Sequence, residues 1–197
     1  MWNRHLSERL AALGRSFPAV FLTGPRQSGK TTLAKATFRD YAYVNLEALD
    51  AREEASGDPR GFLRSLEGQA GVVLDEVHHV ADLFSWLQVV IDSGSSTRWV
   101  LTGSQQFLLS DHVAQSLAGR VAVLELLPLS VGELSGRPAR TPGSLERPPP
   151  TEVPAELPSR DELLFRGLYP RPHHQSLEPV AWLDGYLRTY VERDVRS

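Results

Sequence analysis

Eight consecutive residues constrain this chain more than any others: Gly24-Pro25-Arg26-Gln27-Ser28-Gly29-Lys30-Thr31, a full Gly-x-x-x-x-Gly-Lys-Thr phosphate-loop pattern. Such a loop works only between a strand that feeds it and a helix that leaves it. Both neighbours read correctly. Ala19-Val20-Phe21-Leu22-Thr23 is a short apolar run suited to a buried strand, and Leu33, Ala34 and Ala36 are good helix formers in the stretch 31–38. Each residue type has a reason. Glycines let backbone N–H groups close on phosphate oxygens with no Cβ in the way. The helix points its positive end at the same oxygens. Lys30 would reach the β- and γ-phosphates as a point charge, and the Thr31 hydroxyl would ligate Mg2+. Gly24, Pro25, Arg26, Gln27, Ser28, Gly29, Lys30, Thr31 and Thr32 are therefore the expected nucleotide-binding residues. Lys30 and Lys35 are the only lysines against 19 arginines, mainly a matter of codon preference, yet one of the two sits where a phosphate loop requires it.

The rest of the pattern builds around this loop. Residues 41–46, 71–75, 98–102 and 121–126 read as further strands. Stretches 48–57, 61–66, 81–92 and 107–117 read as helices, and Leu6, Leu10 and Leu13 mark an N-terminal helix that Gly14 should stop. Strands alternating with helices predict an α/β fold, a parallel sheet with helices on both faces and ligands at the strands' carboxyl ends. Seven prolines between Pro138 and Pro158 read as a linker. The predicted organisation is a phosphate-loop domain over 1–135, a Pro-rich linker over 136–159 and the start of a helical C-terminal domain over 160–197. Val180, Leu183, Leu187, Tyr190 and Val191 form an apolar stripe there. A stripe that ends almost at Ser197 suggests a domain cut short.

Three further clusters carry chemistry. Val72-Val73-Leu74-Asp75-Glu76 is an apolar strand ending in two carboxylates. Parallel order would bring Asp75 beside Thr31 to hold Mg2+, with Glu76 free to orient and deprotonate an attacking water. The alternative is a strand simply leaving the core. Thr102-Gly103-Ser104-Gln105 is a polar strand end. Ser104 is either a sensor of the γ-phosphate or attacking water, ahead of Gln105, or an ordinary helix cap. Arg120 either stabilises transition-state charge in a neighbouring subunit's site or forms a structural ion pair. His78 and His79 lack zinc-site spacing, so His78 reads as a loop or cap residue, and His173-His174 reads as a solvated turn. No metal beyond Mg2+ is expected. An Asn-Lys-x-Asp guanine signature is absent.

The bulk properties exclude several classes. There is no cysteine, hence no disulfide, thiolate catalysis or Cys-ligated zinc. A net charge of −3 exerts no strong pull toward nucleic acid or anionic membranes. Arg166, Arg171, Arg188, Arg193 and Arg196 offer a route to nucleic acid or form a solvated face. No 18-residue apolar run is present to span a bilayer, and the N-terminus is not a signal peptide, so the expected location is cytoplasmic.

Taken together, the motifs resemble those of prokaryotic AAA+ ATPases that carry a poorly understood C-terminal domain. The residues that carry the resemblance are Thr23 to Thr32, Leu74-Asp75-Glu76-Val77-His78, Leu101 to Gln105 and Ser116-Leu117-Ala118-Gly119-Arg120. Leu127-Pro128-Leu129-Ser130, Gly132-Glu133, Gly167-Leu168-Tyr169-Pro170 and Tyr186 to Val195 continue it. The resemblance implies a three-layer α/β/α P-loop fold with a five-stranded parallel sheet, and ATP as the nucleotide. It implies Walker A roles for Lys30 and Thr31, Walker B roles for Asp75 and Glu76, a sensor at Ser104 and an arginine finger at Arg120. The expected function is Mg2+-dependent ATP hydrolysis driving a conformational change in a homo-oligomer or partner protein. A switch that binds ATP without hydrolysis is the alternative. A small-molecule kinase ranks third, because no acceptor site is evident.

Overall fold

The computed structural model describes residues 2–104, 119–139 and 158–191. Gln105, the expected helix over 107–117, most of the Pro-rich stretch, Arg193 and Arg196 lie outside them. Five strands form one parallel sheet in the order β2-β3-β4-β1-β5. They are β1 (Ala19–Thr23), β2 (Ala42–Asn45), β3 (Gly71–Asp75), β4 (Arg98–Thr102) and β5 (Val121–Glu125). Strands β1 and β3 are buried at every residue, which is why they read as unbroken apolar runs. Strand β4 is inserted between them, so the phosphate-loop strand and the acidic strand are not neighbours.

Alternation along the strands sorts the helices into layers. Val20 and Leu22 pack with Leu10 of α1 (Ser7–Ser16) and Leu33 of α2 (Lys30–Thr37), while Val73 and Val100 pack on Ala34 of α2. Phe21, Val72, Leu74 and Leu101 point to the other face. There they meet Ala55 of α3 (Leu49–Gly57), Phe62 and Leu63 of α4 (Pro59–Ser65), and Leu83, Phe84 and Leu87 of α5 (Leu83–Asp92). This is the expected three-layer α/β/α arrangement. Helix α4 starts where Asp58 accepts the Gly61 N–H and Pro59 occupies the first turn.

Gly14 does not stop α1, which runs on to Ser16. A Cβ at Gly14 would come 2.6 Å from Cε1 of Phe38, so the glycine serves close packing under that ring.

The chain divides into two compact units, Leu6–Leu127 and Met1–His5 with Pro128–Ser197. The second holds α6 (Val131–Leu134), α7 (Arg160–Arg166), α8 (Pro170–His174), α9 (Pro179–Tyr186) and a π-helical turn, Leu187–Val191. Glu133 organises its start. Its carboxylate closes a capping box with Ser130, accepts the His5 N–H at 2.7 Å and pairs with Arg4 Nε at 3.1 Å. Of the apolar stripe expected here, Val180 and Leu187 are 55 % and 51 % exposed, whereas Leu183 is half-buried and the Tyr190 ring packs on Tyr186. The rings of Tyr169, Trp182 and Tyr186 pack together, with centroids 4.8–5.3 Å apart. His173 is not in a solvated turn. It lies in α8, where Nε2 is 2.8 Å from the Gly167 carbonyl oxygen, and its ring stands edge-on to Trp2.

Candidate functional site

The phosphate loop begins where β1 ends. The Leu126 N–H donates to the Thr23 carbonyl at 2.8 Å and lays the chain after β5 against the loop. Gly24 has φ +139°, and a Cβ there would fall 2.2 Å from the Leu126 carbonyl oxygen. The protein's own backbone therefore requires the first glycine. Gly24→Ala should destabilise the fold by on the order of 3 kcal/mol, because strain and overlap act together. Chemical denaturation checks this, and a loss below about 1 kcal/mol would contradict the close approach.

The loop then tightens. The Ser28 N–H reaches the Pro25 carbonyl at 3.3 Å, with Gln27 at φ 60° and Gly29 at φ 99°. Arg26 and Gln27 are exposed, as is Thr32, and Ser28 is buried. Helix α2 starts at Lys30 with no side-chain cap and no acidic residue in its first turn. Its leading N–H groups thus keep the positive end that an anion seeks.

Lys30 is only 5 % exposed. Its ammonium donates to the carbonyls of Gly24 at 3.0 Å and Pro25 at 3.1 Å. Burial pushes its pKa down, against the opposing pull of Glu76 and Asp75. A cation held dry beside the loop suits a bound polyphosphate.

Asp75, 3 % exposed, ends β3 on the same edge of the sheet. Three hydroxyls from three elements converge on its carboxylate. Thr31 Oγ1 of α2 lies 3.0 and 2.8 Å from the two oxygens, Tyr43 of β2 donates at 2.7 Å, and Thr102 of β4 makes a short bond to Oδ1. Burial raises the Tyr43 pKa, and its bond to Asp75 raises it further, so the phenol stays a donor. Lys35, the second lysine, sits 3.4 Å over the Tyr43 ring. A hydroxyl and a carboxylate this close form a hard-oxygen donor set that fits Mg2+.

Glu76 leaves the strand in a left-handed conformation, φ 56°. Its N–H donates to Thr102 Oγ1 at 3.1 Å, and its carboxylate lies 3.2 Å from His78 Nδ1. The His78 hydrogen bond lowers the Glu76 pKa against the penalty of burial, and Lys30 adds to the lowering. The carboxylate is therefore held as an anion. His78, read from sequence as a loop or cap residue, is this anion's partner.

Lys30, Thr31, Asp75 and Glu76 are thus gathered at the carboxyl edge, with half-buried Ser104 just beyond β4 on the same edge. Arg120 is not with them. It precedes β5, whose Val121 is in register with Ala19, four residues back from the loop end of β1. At about 3.3 Å per residue that is roughly 13 Å away, at the opposite edge. Its guanidinium there makes a two-pronged pair with Asp92, 2.6 and 2.8 Å. Sequence reasoning missed Tyr43 and Thr102. The signal available for Thr102 was its place beside Asp75 once β3 and β4 pair, but the pairing itself is not written in either strand. Tyr43 left no signal in a four-residue strand.

A family model described as an AAA domain matches residues 16–135. Two curated mycobacterial proteins, both uncharacterized, from Mycobacterium tuberculosis and Mycobacterium bovis, are each 31 % identical over 199 residues. The match takes in 98 % of this chain, which spans only 40 % of the length of those relatives. Among solved structures, a Walker-type ATPase of Pyrococcus abyssi superposes with a TM-score of 0.64 at 15 % identity, covering 100 % of this chain and 76 % of that one. At that identity the likeness speaks for the fold alone.

Proposed function

The chain belongs to the AAA domain family, and on that footing we propose that it binds ATP with Mg2+ at the loop from Gly24 to Thr32 and hydrolyses it to drive a conformational change in an oligomer or partner protein. The observation that carries this reading is the direct bond between Thr31 and Asp75, 44 residues apart, beside a buried Lys30.

In this reading the loop N–H groups and Lys30 hold the phosphates, with Lys30 exchanging its two carbonyl partners for phosphate oxygens. Thr31 and Asp75 hold Mg2+, which supplies neutralisation of the charge that develops on the phosphates. Glu76, kept ionised, orients a water and accepts its proton. Ser104 senses the nucleotide from the end of β4. Arg120, far from its own loop, acts on a neighbouring subunit's site after parting from Asp92.

Phosphate release tests the proposal. Turnover should require Mg2+, favour ATP over GTP, and rise per chain by at least about tenfold with protein concentration if a finger acts across subunits. Arg120→Ala should abolish the rise while leaving ATP affinity unchanged. Release of phosphate that ignores Mg2+, or none at any concentration, would overturn the hydrolytic reading. A second reading, a switch that binds ATP without turnover, draws on a specific observation. Glu76 is engaged by His78 and Arg120 by Asp92. ATP binding without phosphate release at any protein concentration would favour it.

A further inference from the structure

We propose that Thr102 is a positioning residue that fixes the Asp75 carboxylate and the Glu76 backbone at once, an inference that rests on the reading of Asp75 and Glu76 above. The side chain is 0 % exposed at the end of β4. A threonine hydroxyl has one proton to give and lone pairs to receive with. Here both capacities are used. It donates to Asp75 Oδ1 and accepts the Glu76 N–H at 3.1 Å. The Asp75 carboxylate and the Glu76 peptide are thus tied to one oxygen on the neighbouring strand.

The second bond matters most. Glu76 occupies a left-handed backbone conformation that a non-glycine residue leaves unless it is held. The Thr102 oxygen receives the N–H of that residue. Loss of that acceptor frees the peptide to relax toward an extended form and swings the Glu76 carboxylate away from its present direction. Tyr43 supports Asp75 from the other flank, where its hydroxyl donates to Oδ2 rather than to the Glu76 peptide. It therefore serves as the internal comparison.

Position adds a reason. Strand β4 is the one strand paired with both β1 and β3, and Thr102 is in register with Leu22, two residues before Gly24. Any buried strand end could satisfy a purely structural demand for polarity. Only a hydroxyl at this register can hold Asp75 and the Glu76 peptide together.

The test compares Thr102→Val, Thr102→Ser and Tyr43→Phe in the whole chain, with two readouts. In nucleotide-free protein, hydrogen exchange at the Glu76 amide should be at least about tenfold faster in Thr102→Val, and near wild type in Thr102→Ser and Tyr43→Phe. In turnover, Thr102→Val should lower kcat about 10- to 100-fold with ADP affinity unchanged, and Thr102→Ser should recover most of it. Wild-type exchange at Glu76 in Thr102→Val would overturn the proposal, as would a Thr102→Ser variant as impaired as Thr102→Val. If Thr102→Val does not fold, Thr102→Ala removes the same hydroxyl without placing a methyl against the carboxylate, and the same outcomes apply. Should the wild type not release phosphate, the hydrolytic reading fails, and the amide exchange decides the role of Thr102 by itself.

Discussion

Glu76→Gln should lower ATP turnover by about 10²- to 10⁴-fold, the range a general base supplies, while Mg·ATP binding stays within a few-fold of wild type. The amide has the shape of the carboxylate but cannot accept the water's proton. The Glu76 backbone bond to Thr102 does not involve the side chain, so the left-handed turn should persist. What changes at the protein is the partner of His78, which loses the anion 3.2 Å from Nδ1. Equal turnover in the two proteins would remove Glu76 from the chemistry and leave Asp75 as the only acidic group with a role. Steady-state phosphate release at saturating ATP, paired with a binding titration on the same samples, makes the comparison.

Lys30→Met should weaken ATP binding by about 2–5 kcal/mol, the penalty for truncating one partner of a desolvated charge pair, or roughly 30- to 5,000-fold in dissociation constant. Methionine keeps the apolar stem and removes the ammonium. In the free protein that ammonium sits where burial opposes its charge, answered by the Gly24 and Pro25 carbonyls. The variant should therefore fold with a midpoint near that of wild type, and the loss should appear only with nucleotide present. An unchanged dissociation constant would mean that phosphates do not approach Lys30. A large loss of stability in the free protein would mean that Lys30 is chiefly a structural clamp on the loop.

Legibility followed burial. Strands β1, β3 and β4 match their expected bounds to the residue, because each is an apolar run closed by glycine, acid or threonine. The juxtaposition of Thr31 and Asp75 could be read from a motif, a distance along the chain and the parallel-sheet rule. Strand order could not, since it depends on which edges pair after collapse. With the order hidden, Thr102 looked like one more polar residue before a turn, and Tyr43 like a strand aromatic. Gly14 misled for a related reason: its purpose is the ring of Phe38, remote in sequence. For Arg120 the sequence leaves open an ion pair or a finger for a neighbouring subunit's site; the structure pairs it with Asp92, and the register of β5 separates it from the loop of its own chain. In the C-terminal unit, periodicity marks Val180, Leu183, Leu187, Tyr190 and Val191; Val180 and Leu187 are exposed, while Tyr190 joins the packed rings of Trp182 and Tyr186, which the stripe does not include.

Thermal unfolding of the wild-type chain with and without Mg·ATP asks whether this phosphate loop is a working ATP site. At about 100 times the dissociation constant, nucleotide should stabilise the folded protein by roughly 2.7 kcal/mol, on the order of 5–11 °C in midpoint for a chain of this size. That shift should appear with Mg·ATP and vanish in Lys30→Met. A cooperative transition that does not move with either Mg·ATP or Mg·GTP would contradict it.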